Sequence, residues 1–127
     1  MKINHVAIWV SDIEKSREFY EKYFGGVSNE KYENKLKGFS SYFLSFESGT
    51  RLEIMQKVNI TKFSESSEKV GIAHIAFSIG SKEKVNELTE RLRKDGYKII
   101  GEPRVTGDGY YESVICDEDN ILIEITE

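Results

Sequence analysis

The sequence predicts an α+β fold made of two βαβββ modules, each with one helix packed on its sheet. Three observations predict it. Shifting the chain by 69 residues lays 3–24 on 72–93 with seven of those 22 positions identical: Ile3/Ile72, His5/His74, Ala7/Ala76, Glu14/Glu83, Lys15/Lys84, Glu18/Glu87 and Glu21/Glu90. A shift of 71 lays Glu53-Ile54 on Glu124-Ile125, with Leu52 on Ile123 and Leu44 on Ile115. Each half also runs through strand-like and helix-like patterns in the same order. The Glu and Lys matches carry little weight, because both residues are common on helix surfaces. The His match carries more, because the chain has only 2 histidines.

In the first half, residues 3–10 alternate, with Val6, Ile8 and Val10 on one face and His5, Ala7 and Trp9 on the other. Ser11 and Glu14 have the spacing of a capping box. Ile13, Phe19, Tyr20, Tyr23 and Phe24 recur at helical spacing, and Gly25-Gly26 ends the helix. One further short strand is expected within 27–38. Residues 39–47 alternate again, Ser48-Gly49 turns, and 50–57 returns as a hairpin partner. The second half repeats the order. A strand spans 72–79, Ser81 caps a helix carrying Val85, Leu88 and Leu92, and Gly96 closes it. A short strand follows at 97–100, then a hairpin of 110–116 and 121–126 about 117–120. The polar stretch 58–70 reads as a linker, so the single domain of 1–127 divides into module 1 at about 1–57 and module 2 at about 71–127.

Composition narrows the functional classes. At a net charge of -4 the chain lacks the clustered Lys and Arg that a phosphate backbone demands, so no nucleic-acid partner is expected. No apolar run approaches the roughly 20 residues that span a bilayer, and no membrane association is expected. The N-terminus leads straight into a strand pattern without a signal-peptide core. A single cysteine, Cys116, excludes an internal disulfide framework and points to a reducing compartment, the cytoplasm. Its thiol reads as a small buried apolar group.

Side chains alternate across a strand, so four strands present one wholly apolar face: Val6/Ile8/Val10, Leu52/Ile54, Ile75/Phe77/Ile79 and Ile121/Ile123/Ile125. Those faces should pack on the helices. The opposite faces carry His5, Glu53, His74 and Glu124 beside apolar neighbours. A carboxylate in a semi-enclosed groove needs a cation or strong donors, since burying it unpaired costs several kcal/mol. Two imidazoles and two carboxylates suit a divalent first-row metal, with further positions open to substrate. A lone strand histidine is usually structural, and a lone mid-strand Glu usually faces solvent. The symmetric pairing of both across the repeat is what singles these four out.

The segments INHVAIWVSDIEKSREFYEKYFGG, SSYFLSFESGTRLEIM, GIAHIAFSIGSKEKV and GDGYYESVICDEDNILIEI cover nearly the whole chain. On them the chain resembles the vicinal oxygen chelate superfamily, and within it the glyoxalase I-like proteins. Ser16 to Tyr20 resembles that family's S-x-x-F-Y helix signature. The last segment resembles its D-P-D-G-N-x-I-E-I ending, with Glu118 in place of the Pro and Asn120 in place of the Gly. The resemblance implies that each module is a curled mixed sheet with a helix packed outside, and that a metal in the cup between two modules is held by His5, Glu53, His74 and Glu124. The metal would be Ni, Zn, Co, Mn or Fe, with Ni or Zn favoured. Bleomycin-binding relatives lack such ligands. Extradiol dioxygenases use a three-ligand set in a longer chain.

The resemblance further implies a lyase or isomerase acting on a small vicinal-oxygen substrate, such as a thiol hemithioacetal of methylglyoxal. The metal would stabilise an enediolate, with Glu124 first and Glu53 second as the base. An epimerase of the methylmalonyl-CoA type would use the same chemistry, and a non-catalytic small-molecule-binding protein is the alternative from another class. Trp9, Phe43, Met55 and Tyr110 are candidates to line the groove. Arg17, Arg51 and Arg104 are candidates to meet a substrate carboxylate. The Gly107–Gly109 stretch lacks the strand-loop-helix context of a phosphate loop and reads as a loop beside the groove. Chains of this kind often pair, so a homodimer with sites at its interface is expected.

Overall fold

The structure is a computed structural model that describes residues 3–59, 72–107 and 109–127. The chain divides into two compact units, Met1–Ser64 and Glu65–Glu127. Most of the expected linker, from residue 60 on, lies outside the described residues, as does Asp108 within the expected loop.

Unit 1 runs β1 (Val6–Trp9), α1 (Ile13–Phe24), β2 (Val27–Ser28), β3 (Tyr32–Asn34), a single 3-10 turn (Lys35–Lys37), β4 (Phe39–Ser45) and β5 (Arg51–Lys57). Its mixed sheet has the order β1-β5-β4-β2, with β3 also on β4. β1 and β5 are parallel, with Val6 opposite Leu52 and Ile8 opposite Ile54. The β4–β5 hairpin is antiparallel, with Tyr42 opposite Ile54 and Phe43 opposite Glu53. Residues paired across strands share a face, so Val6, Ile8, Leu44, Leu52 and Ile54 form one apolar wall. Against it α1 lays Ile13, Phe19, Tyr20 and Tyr23, all buried. Each aliphatic side chain buried completely here, such as Leu44 or Ile54, contributes about 1.5–3 kcal/mol relative to exposure.

Unit 2 repeats the plan with β6 (Ile75–Ser78), α2 (Lys82–Lys94), β7 (Ile99–Val105), β8 (Tyr111–Cys116) and β9 (Leu122–Thr126). Its sheet order is β6-β9-β8-β7, with β6 and β9 parallel. Val85, Leu92, Ile115, Ile123 and Ile125 are fully buried. Between α2 and β8 the buried hydroxyls of Thr89 and Ser113 pair at 2.7 Å, and Thr89 also donates to the Val85 carbonyl at 2.6 Å. The two polar groups therefore satisfy each other inside an apolar layer. The parallel seams match in detail: the Val10 N–H donates to the Met55 carbonyl just past β1, and the Ile79 N–H donates to the Thr126 carbonyl just past β6, both at 2.8 Å.

Four expectations need correction. Asp12, rather than Ser11, caps α1: its Oδ1 accepts from the Glu14 and Lys15 N–H groups at 3.2 and 3.1 Å. Ser11 is engaged through its backbone, because Gln56 Nε2 donates to its carbonyl at 2.7 Å while Gln56 Oε1 accepts from the Ile13 N–H. The segment after α1 holds two short strands instead of one. β1 and β6 are shorter than the alternation suggested, starting only where β5 and β9 supply partners. The strand expected at 97–100 instead runs Ile99–Val105, through Gly101 and Pro103. β7 is a sheet edge whose register against β8 shifts between Ile99 and Gly101 and again between Gly101 and Arg104. A proline without an N–H fits such an irregular edge. Among the described residues, no helix is long and apolar enough to cross a membrane.

Candidate functional site

The face of each sheet turned away from its helix carries a histidine and a glutamate side by side. In unit 1, His5 directly precedes β1 and Glu53 lies on β5, with His5 Nε2 3.6 Å from Glu53 Oε2. In unit 2, His74 directly precedes β6 and Glu124 lies on β9, with His74 Nε2 3.2 Å from Glu124 Oε2. The His side chains are 37% and 44% exposed, and the Glu side chains 16% and 22%. All four thus line an accessible face and not the helix-packed core.

The same local device builds both couples. Ala7 stands opposite Glu53 and Ala76 opposite Glu124 in the two parallel registers. A methyl group there leaves room for each carboxylate to lean back toward the histidine two residues earlier. The two alanines were visible in the repeat, but a match between such common small residues drew no functional reading.

The donor chemistry fits a divalent first-row metal. Ligands bonded to one such ion at about 2.1 Å stand about 3.0–3.4 Å apart, for right-angled to tetrahedral angles. The 3.2 Å of His74 and Glu124 falls within that span, and the 3.6 Å of His5 and Glu53 slightly beyond it. On the face of Glu124, Thr126 Oγ1 is buried with no hydrogen-bond partner among the described residues. Among those residues no group of three or more His, Cys, Asp or Glu side chains is arranged to hold a metal ion. Each couple by itself is therefore half of the expected ligand set.

The other candidates divide. Trp9 and Met55 are paired across the β1–β5 seam, on the face of Glu53. Phe43 is opposite Glu53, and its ring meets the His5 ring edge-on at 5.1 Å. Trp9 is 45% exposed and packs edge-on against Phe39 at 6.1 Å. Arg51 shares this face and lies over the Phe43 ring, 5.0 Å from its centroid. Tyr110 lies just before β8 and is exposed.

Arg17 leaves the set. It sits on α1, bonded to Glu14 and Glu21 at 3.2 and 3.0 Å and placed over Tyr42, which shares the helix-packed face with Ile54. The Glu14 carboxyl works against burial, yet hydrogen bonds from Lys31, Tyr42 and Arg17 hold it below the ordinary value. Arg17 is thus committed to a helix-surface cluster on the wrong side of the sheet. In unit 2, Arg104 approaches Glu112 at 3.9 Å, and Glu112, only 12% exposed, is opposite Thr126. Sequence reading passed over Glu112, although it lies two residues before Val114 on the face of Glu124. Burial pushes the Cys116 thiol up, which disfavours the thiolate form.

The profile of the Glyoxalase/Bleomycin resistance protein/Dioxygenase superfamily matches residues 2–125. The chain belongs to this superfamily. It is 30% identical over 127 residues to the uncharacterized protein YqjT of Bacillus subtilis, spanning 97% of this chain and 96% of that one. It is 26% identical over 131 residues to lactoylglutathione lyase GLX1 of Arabidopsis thaliana, spanning 97% of this chain but 43% of that protein. The crystal structure of a glyoxalase family protein from Enterococcus faecalis shares the fold at a TM-score of 0.82 and 24% identity, covering 99% and 97% of the two chains. A superfamily of this kind often consists of enzymes and often uses divalent metals.

Proposed function

We propose that this chain is a metal-dependent lyase or isomerase of the glyoxalase I type, acting on a small substrate with vicinal oxygens such as a thiol hemithioacetal of methylglyoxal. The observation that carries the reading is the repeated couple: the same His and Glu, on the same seam, on the accessible face of each unit. The proposed ligands are His5, Glu53, His74 and Glu124, two from each unit. When bound, the metal supplies Lewis acidity at the two substrate oxygens and favours loss of the neighbouring carbon-bound proton.

The chain's own residues do the rest. Glu124 accepts the proton from carbon and returns it to the adjacent carbon, with Glu53 as its counterpart. A carboxylate that held the metal would need a free oxygen to act as base, and the partial exposure of both leaves room for that. Trp9, Met55 and Phe43 give the apolar wall beside Glu53 against which the substrate's carbon skeleton packs. Tyr110 is placed with them in this proposal, and Arg17 is not. We further propose a homodimer in which His5 and Glu53 of one chain work with the second couple of the other.

The test is exchange of the substrate α-proton with deuterated water, on methylglyoxal hemithioacetals and on acyl thioesters, which an epimerase would use. Metal-loaded protein should exchange or turn over one class. Glu124→Gln should keep most of the metal binding, since an amide oxygen still ligates, while turnover falls by about 10²- to 10⁴-fold. Absence of metal-dependent exchange on both classes would remove the reading and favour a non-catalytic binding protein.

A further inference from the structure

We infer that Asn4 sets the tautomer of His5, and that Arg51 in turn sets the orientation of Asn4. For a neutral His5 ring the chain of donors leaves one tautomer, since the 3.6 Å from Nε2 to Glu53 Oε2 is too long for a hydrogen bond. Arg51 Nη2 hydrogen-bonds Asn4 Oδ1. A guanidinium only donates, so the carboxamide must present oxygen, not nitrogen, to it. An ambiguity that normally attends an Asn side chain is thereby settled. The same oxygen lies 2.9 Å from His5 Nδ1. A carbonyl oxygen only accepts, so Nδ1 must carry the hydrogen. A neutral imidazole has one N–H, which leaves Nε2 with its lone pair. Nε2 is the atom facing Glu53 Oε2.

The surroundings hold this arrangement in place. The Phe43 ring touches both ends of the relay, with the Arg51 guanidinium over its face and the His5 ring edge-on to it. Arg51 lies two residues before Glu53 on the same strand face, so its charge and its stacking partner are fixed by the β4–β5 hairpin. Asn4 and Arg51 are positioning residues: they act through His5. Among the described residues, unit 2 shows no such device. In the repeat alignments Ala73 takes the place of Asn4 and Leu122 the place of Arg51, and neither side chain can donate or accept. The two couples, alike in their ligating residues, therefore differ in how their histidines are prepared. His5 offers its Nε2 lone pair before any ligand arrives, whereas His74 Nε2 lies 3.2 Å from a Glu124 carboxylate oxygen, an acceptor that favours a hydrogen there.

The tautomer is a property of the folded chain, whereas its consequence for metal affinity rests on the function proposed above. Long-range proton–nitrogen NMR of the 15N-labelled, metal-free protein reads it directly, because the chain has 2 histidines. The spectra are recorded at about pH 8.5, a pH at which a free imidazole in solution carries no charge. His5 should show a protonated Nδ1 and a pyridine-type Nε2. Asn4→Ala should move His5 alone toward the Nε2–H form, Arg51→Leu should give a mixture, and Asn4→Asp should restore the wild-type pattern. Unchanged His74 signals report that the fold is kept. A wild-type His5 protonated on Nε2, or an Asn4→Ala protein with an unaltered His5, would overturn the inference. Zinc competition titration gives the second readout, with Asn4→Ala expected to bind about 10- to 100-fold more weakly. Equal affinity in that variant would overturn the positioning role while leaving the ligand set standing. A wild-type chain that binds no zinc but shows the Nδ1–H tautomer would retain the inference and remove the proposed metal chemistry.

Discussion

At the scale of single residues, the turn between β8 and β9 shows how a departure from a family pattern is absorbed. Asn120 takes the place of a glycine, and its φ is 62°. Asn is among the few L residues that tolerate this left-handed region. Asp117 steadies the turn, its Oδ1 accepting from the Asp119 and Ile121 N–H groups at 2.9 Å each. We expect Asn120→Gly to change stability little and Asn120→Val to lower it by about 1–2 kcal/mol, read from urea unfolding midpoints. Glu124, four residues on, keeps its register opposite Val114. The four proposed ligands were legible because a repeat doubled each signal. Asn4 was not legible, because its partner oxygen contacts depend on Arg51, 47 residues away in the chain, and the repeat offers no echo of either.

At the scale of elements, helix extents were readable from periodicity, while ends and edges depended on contacts that a sequence pattern does not carry. Serine, aspartate and asparagine all cap helices, and Ser11 and Asp12 are adjacent, so spacing alone could not choose between them. Gln56 of β5 bonds the Ser11 carbonyl and the Ile13 N–H, while Asp12 Oδ1 takes the Glu14 and Lys15 N–H groups. Asp12→Ala should therefore cost about 0.5–2 kcal/mol in thermal or urea unfolding, and Ser11→Ala a smaller amount. Equal losses would contradict the assignment of the cap. In β7, Gly101 and Pro103 read as strand breakers. At an edge with two register shifts they are tolerated, and a Cβ on Gly101 would come within 3.0 Å of the Arg104 guanidinium. The α2 terminus followed its signal closely: Gly96 adopts φ 90°, and the Tyr97 N–H returns to the Leu92 carbonyl at 3.0 Å.

At the scale of the whole molecule, duplication gives two units with one topology and one type of couple each. The proposed four-ligand set needs two couples, and a homodimer supplies them symmetrically. Sedimentation at micromolar concentration should give twice the chain mass of 14.6 kDa. A monomeric boundary there would remove the shared-site version of the proposal.

The parallel seam of each unit has one more consequence. His and Glu meet because the first strand of a unit lies beside its last, Ala7 against Glu53 in one and Ala76 against Glu124 in the other. Everything between those strands is an excursion that leaves and returns. Insertions or deletions in 27–38, or around the turn after β7, lengthen or shorten the excursion without shifting either donor along the seam. Both couples are thereby insulated from any change of length in those segments, and such a scaffold can carry new loops with each His–Glu contact untouched.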